Sequence, residues 1–222
     1  SNTMTVQFIL ASASPRRKTL LERMGFNVRT IPADIDESPL EGETPTEHVK
    51  RVSRAKVLAV VERLSATGSN LESFEAAKLP EGAKSKDATP RWVIGADTIV
   101  IRDDDVLGKP KDQDHSFEML KSLSNRRHTV VTGFCIFDMR RNKEGLQAVT
   151  THVKFKRLTS VEIEKYISEG ESMDKAGAYA IQGLGSYIVD SISGSYTNVV
   201  GLPMCQVMEM LEEMGADDIL PY

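Results

Sequence analysis

The 222-residue chain has only two cysteines, Cys135 and Cys205, each set among apolar neighbours and neither with a metal-ligating residue at the usual spacing. Both read as buried reduced thiols, which argues against a secreted domain held by disulfides. No apolar run approaches the roughly 20 residues that span a bilayer, and no basic stretch leads into a long apolar core near the start. The sequence therefore predicts a soluble, cytoplasmic protein without a membrane partner. An excess of one charge is missing too, since 28 basic and 32 acidic residues leave a net charge of −4. A non-specific nucleic-acid binder is usually more basic, so nucleic acid is not expected as a partner. A pocket for a small anion needs only a few local cations and is not excluded. The histidines, His48, His115, His128 and His152, are scattered without metal-ligand spacing. There is no Gly-x-Ser-x-Gly elbow and no Gly-x-x-x-x-Gly-Lys-Ser/Thr loop, and Gly183-Leu184-Gly185 is too short for a dinucleotide fingerprint.

What is present is an ordinary globular composition, 40% hydrophobic and 27% charged, read as one domain over residues 1–222. Ser1-Asn2-Thr3 ahead of Met4 reads as a cloning remnant. Strands are expected at Phe8–Leu10, Val28–Ile31, Trp92–Ile101, His128–Met139, Ala148–Leu158 and Tyr187–Ser193. Asp103-Asp104-Asp105 reads as a hairpin turn, and a polar turn at 140–145 joins the fourth and fifth strands. Helices are expected after Ser14-Pro15, with Ser14 as N-cap and Gly25 as the stop, and after Thr44-Pro45, with Val49, Val52, Ala59 and Val60 inward. Further helices are expected at Ser116–Leu123, Val161–Ser168 and Met204–Met214. Residues 65–91, rich in Ser, Ala, Gly, Lys and Glu, read as a surface-loop insertion. Alternating helices and strands with hairpins predict an α/β fold around a central mixed sheet.

Three features carry chemistry. The helix start Ser14-Pro15-Arg16-Arg17 presents unpaired N–H groups with two guanidiniums, where cations are mildly unfavourable unless an anion binds. The other reading is two solvated arginines. Trp92–Ile101 is a buried-strand composition broken by Asp97. A buried carboxylate must be paired, bind a metal or sit at a cleft, and Gly95 leaves room for a close approach. Lys56 lies four residues from both Val52 and Val60, on the apolar stripe of its helix. It either snorkels from the stripe's edge or points into a cleft. Lys109, between Gly108 and Pro110, and Glu37, at the end of an acidic loop, are weaker signals. Glu37 and Asp97 could supply the carboxylate pair that magnesium prefers alongside substrate phosphates.

Leu10-Ala11-Ser12-Ala13-Ser14-Pro15-Arg16-Arg17, Gly95-Ala96-Asp97-Thr98, Gly108-Lys109-Pro110, Asp174-Lys175-Ala176-Gly177-Ala178-Tyr179, Ile181-Gln182-Gly183 and Val200-Gly201-Leu202-Pro203 resemble, in order, the motifs of the Maf family of nucleotide pyrophosphatases. The resemblance implies a Maf/inosine-triphosphatase-like fold and cleavage of a nucleoside triphosphate to the monophosphate and pyrophosphate. It also implies a divalent cation, Mg2+ or Mn2+. On matching positions it makes Asp97 the proton acceptor, with Glu37 assisting with metal or water. Arg17, Lys56 and Lys109 would neutralise the triphosphate, and Ser12 would hydrogen-bond a phosphate. Arg16, Thr98 and Gln182 resemble the markers of the branch acting on dTTP and UTP, whereas the 7-methyl-GTP branch tends to have Trp, Gln and Glu there. A homodimer is a family expectation. The alternatives are a 7-methyl-GTP pyrophosphatase or a non-catalytic nucleotide sensor linked to cell division.

Overall fold

The run Phe8–Leu10 is strand β1, and all three residues are buried. A strand paired on both edges and covered on both faces has no wet side, so its composition is continuous rather than alternating. In the computed structural model, which describes residues 5–66 and 90–222, β1 pairs in parallel with β2 (Val28–Thr30) and, on its other edge, with β3 (Trp92–Arg102). The sheet continues antiparallel through β5 (Arg127–Asp138), β6 (Lys143–Phe155) and β7 (Val189–Ser193). Its order is β2-β1-β3-β5-β6-β7, and the short strand β4 (Asp105–Leu107) folds back on β3. The fold is therefore the α/β arrangement with a mixed sheet that the sequence predicts.

Alternation along the strands sorts the core. Ile94, Ala96, Phe134 and Ile136 face α1 (Pro15–Arg23) and α6 (Met204–Glu213), whose Leu20, Leu21, Val207 and Leu211 join the same cluster. Val93, Cys135 and Phe137 face α2 (Pro45–Ala66), which brings Val57, Val60 and Leu64. A third cluster packs α3 (Gln113–Leu123) and α4 (Ser160–Ser168) on Val130, Val153 and Phe155. Helix α2 rides unusually close to the sheet at two glycines. A Cβ on Gly95 would lie 2.8 Å from the Val57 side chain, and one on Gly133 would lie 2.4 Å from the Val49 carbonyl oxygen. Gly133 is the cross-strand partner of Asp97, so this close approach sets the distance between α2 and the carboxylate.

Several boundaries differ from the expectation. Helix α3 starts at Gln113, because the Asp112 side chain accepts from the His115 N–H. Strand β6 starts at Lys143, paired with Asp138, so the hairpin turn is tighter than residues 140–145. Val57 and Leu64 are fully buried, whereas Ala59 is only partly so. Cys135 is buried as expected, but Cys205 is exposed, since α6 buries Met204, Val207, Met210 and Leu211 and turns Cys205 away. Helix α5 (Tyr196–Val200), capped by Ser195, was not expected. The loop expected at 65–91 lies outside the described residues except at its ends, where residues 65 and 66 complete α2, and Ser1-Asn2-Thr3 lies outside them too. Among the described residues no helix is long and apolar enough to cross a membrane.

Candidate active site

Strand β1 ends at Leu10, opposite Ile94, and the Ala11 N–H gives a last ladder bond to the Ile94 carbonyl at 2.8 Å. On the same edge of β3, β4 joins only from Val100 onward. Between them the edge of β3 has no strand beside it. The Ala96 carbonyl in this gap accepts instead from Lys56 Nζ at 3.1 Å. A cavity of about 870 Å³ opens there. The chain leaves β1 toward β2 on one side and returns on the other as β3, so the cavity lies at the carboxyl ends of parallel strands where their order reverses. That is a general ligand position in open α/β sheets.

The turn after β1 builds the cavity's first wall. The Ser14 Oγ caps α1 by accepting the Arg17 N–H at 3.3 Å, and Pro15 occupies the first turn. Arg17 is buried and held on three sides. Its Nε donates to the Gly201 carbonyl at 2.7 Å, Nη1 to Ser12 Oγ at 3.2 Å and Nη2 to Thr98 Oγ1 at 3.0 Å. Burial lowers its pKa, while Asp97 and Glu37 act in the opposite direction. A guanidinium carries five N–H donors, so the protein leaves two of them for a ligand. Arg16, by contrast, is half-exposed on the cavity's lip.

Helix α2 supplies the opposite wall. Its start is a capping box, in which the Glu47 N–H reaches Thr44 Oγ1 at 3.1 Å and the Glu47 carboxylate takes the Thr44 N–H at 3.0 Å. Lys56 Nζ lies 2.9 Å from Glu37 Oε1 and 3.8 Å from Asp97 Oδ1, so one ammonium faces both carboxylates. Burial pushes the Asp97 carboxyl above its ordinary pKa, against the pull of Lys56 and Arg17. A hydrated carboxylate would be a weaker proton acceptor than this one.

All nine site residues expected from the sequence line this cavity except Gln182, which precedes the turn Gly183–Tyr187 beyond the buried Ile181. His48, Asp174, Lys175 and Tyr179 line it without having been singled out. The His48 Nε2 is 3.7 Å from Asp97 Oδ2 and its Nδ1 is 3.0 Å from Glu43 Oε1. Glu43 also holds Arg51, whose hydrogen bonds pull the acid down to about pKa 2. The signal for His48 was available: it lies four residues before Val52 and eight before Lys56, on the same stripe. Among the described residues no group of three or more His, Cys, Asp or Glu side chains could hold a metal ion unaided.

Cations lining one cavity around a largely shielded carboxylate, at the switch point of a mixed α/β sheet, define a nucleotide- or phosphate-handling protein. The chain matches the family model described as Maf-like protein over residues 7–214, and it belongs to that family. It is 47% identical to a dTTP/UTP pyrophosphatase from Geobacter sp. (strain M21), over 94% of this chain and 95% of the relative. A dTTP/UTP pyrophosphatase from Syntrophotalea carbinolica is 45% identical over 94% of this chain and 84% of its own length. One from Syntrophomonas wolfei is 42% identical over 94% and 97% respectively.

Proposed function

We propose that this protein is a nucleoside triphosphate pyrophosphatase that cleaves dTTP and UTP to the monophosphate and pyrophosphate. The observation that carries this reading is Asp97, a carboxylate raised in pKa by burial and facing Lys56 and Glu37 in a cavity otherwise rich in cations. Asp97 takes a proton from water as the water oxygen attacks the α-phosphorus. The bond from that phosphorus to the oxygen bridging toward the β-phosphorus breaks, and pyrophosphate leaves with the electron pair. Arg17, with two N–H groups to spare, and Lys56 and Lys109 stabilise the charge that spreads over the phosphate oxygens.

Glu37 and Asp97 fit a divalent cation. They are hard oxygen donors already converging on one positive charge, the Lys56 ammonium. Mg2+ or Mn2+ held by one or two carboxylates takes its remaining ligands from phosphate and water. Bound there, the cation would neutralise phosphate charge. Arg16, on the cavity's lip, is assigned to choice of the base. Gln182 lies outside the cavity lining, and its part in that choice rests on the family resemblance and on an amide that can both donate to and accept from a pyrimidine edge.

The test is pyrophosphate release from dTTP, UTP, CTP and 7-methyl-GTP with magnesium. Turnover of dTTP and UTP above the others is expected. Preference for 7-methyl-GTP would reassign the branch, and inactivity on all four would remove the enzymatic reading.

A further inference from the structure

The hydroxyl groups around Arg17 differ in where their protons can go. A guanidinium only donates, so Thr98 Oγ1 accepts from Arg17 Nη2 at 3.0 Å. Thr132, the cross-strand partner of Thr98, places its Oγ1 2.8 Å from the Thr98 hydroxyl and 3.1 Å from the Asn198 carbonyl oxygen. A carbonyl only accepts, so the single Thr132 proton goes to Asn198. The proton between the two threonines must then come from Thr98. The chain has one direction, from Arg17 to Thr98 to Thr132 to Asn198, and Thr98 has no proton left for a ligand.

Ser12 is the opposite case. Its Oγ accepts from Arg17 Nη1 and from the Ser14 N–H, both at 3.2 Å. Its own proton has no protein acceptor among the described residues, and the hydroxyl borders the cavity. Ser12 is thus wired to donate, which suits an anionic phosphate oxygen.

The far end of the chain is anchored. Asn198 is fully buried. Its side-chain amide donates to the Val149 carbonyl at 3.0 Å and to Thr151 Oγ1 at 2.8 Å, and its backbone N–H is taken by Ser195 Oγ at 3.1 Å. Strand β6 and the start of α5 therefore hold the carbonyl that Thr132 uses.

We propose that Thr132 and Asn198 are positioning residues for Arg17, acting through Thr98, and that Thr98 serves the site by aiming Arg17 rather than by touching substrate. This rests on the reading that Arg17 binds the phosphates. Thr98 and Thr132 lie on the α1 face of β3 and β5, whereas Asp97 and Gly133 lie on the α2 face, so the phosphate ligand and the proton acceptor are set by separate supports.

Inorganic pyrophosphate is the probe, titrated calorimetrically into wild type, Thr132→Val, Thr132→Ser, Arg17→Lys and the Arg17→Lys/Thr132→Val double variant. Thr132→Val leaves the Thr98 proton without its acceptor and should weaken binding about tenfold. Thr132→Ser should bind as wild type does. In the Arg17→Lys background the valine should add nothing, because both changes remove the same contact. Undiminished affinity in Thr132→Val, or a fully additive loss in the double variant, overturns the proposal. If the valine variant does not fold, Thr132→Cys, of similar size and a weak donor, should show a smaller loss, and no loss overturns it equally. The pyrophosphatase reading is judged separately by dTTP turnover in wild type. No turnover with the coupling intact removes that reading and leaves the positioning inference standing.

Discussion

Strands β3 and β5 carry two largely shielded acids, Asp138 and Asp97, and the protein treats them in opposite ways. Asp138 is 1% exposed and saturated: Arg91 Nε and Nη2 bind its two oxygens at 2.8 and 2.7 Å, and the Arg140 and Arg141 N–H groups donate to it as well. Burial alone would raise its pKa, but Arg91 and these N–H groups lower it. Arg91 is itself shared with Asp218 and lies over the Trp92 ring, 4.6 Å from the centroid. Asp97 has no hydrogen bond to its carboxylate among the described residues, and the nearest Lys and His nitrogens stand at 3.8 and 3.7 Å. For Asp97 burial wins and the pKa rises. A buried charge with every lone pair used is structural. One left under-satisfied beside a cavity is reserved for something that binds.

Substitution at each acid should break this symmetry in different observables. Asp97→Asn is expected to lower kcat by about 10²–10⁴-fold, the worth of a general base. Its thermal midpoint should not fall, since the amide has no charge to desolvate. Loss of stability alongside activity would make Asp97 a structural acid like Asp138. Asp138→Asn should do the reverse, costing about 3–5 kcal/mol in urea unfolding because it leaves Arg91 short of its partner, while kcat of the folded protein is retained.

A third buried titratable group, His128, sharpens the contrast through pH. Burial, with Arg126 adding to it, lowers its pKa to about 4. Its Nε2 meets the Tyr179 hydroxyl at 2.6 Å. Between that value and the unfolded 6.5, the unfolded chain takes the proton and the folded one does not. The contribution is therefore complete above about pH 6.5 and drains away as pH falls toward 4, by about 3 kcal/mol. His128→Gln should flatten that window in a pH series of unfolding curves, and an unchanged slope would place the acid sensitivity elsewhere. The smallest expected effect is at the contact between helix and sheet. Gly133→Ala puts a methyl group against the Val49 backbone and should cost about 1–3 kcal/mol of stability. It should also lower kcat, because α2 carries Lys56. A stability loss with kcat unchanged would show that the α2–sheet distance does not tune the Lys56–Asp97 pair.

Much of the site was legible because its signals are local. Asp97 interrupts an apolar strand, Lys56 breaks an apolar stripe, and Ser14-Pro15 is a helix start whatever surrounds it. The parts that were missed depend on partners far along the chain. His48 looked like one of several scattered histidines until the fold set it beside Asp97, 49 positions later in the sequence. Cys205 is a different case, because the signal that turns it outward, the spacing of Met204, Val207, Met210 and Leu211 along α6, is local.

By itself the amino-acid sequence determined the α/β order of elements, the caps and the candidate catalytic carboxylate, because periodicity, capping and the cost of a charge in an apolar run act over a few residues. Only the tertiary structure decided that β1 and β4 leave a gap on β3, that Gly133 seats α2 opposite Asp97, and that Ser12 donates where Thr98 cannot. Those outcomes depend on strand register and on hydrogen bonds between residues as far apart as Arg17 and Gly201. The direction of a proton along such a bond is fixed by the last acceptor in the chain, which no local stretch of sequence contains.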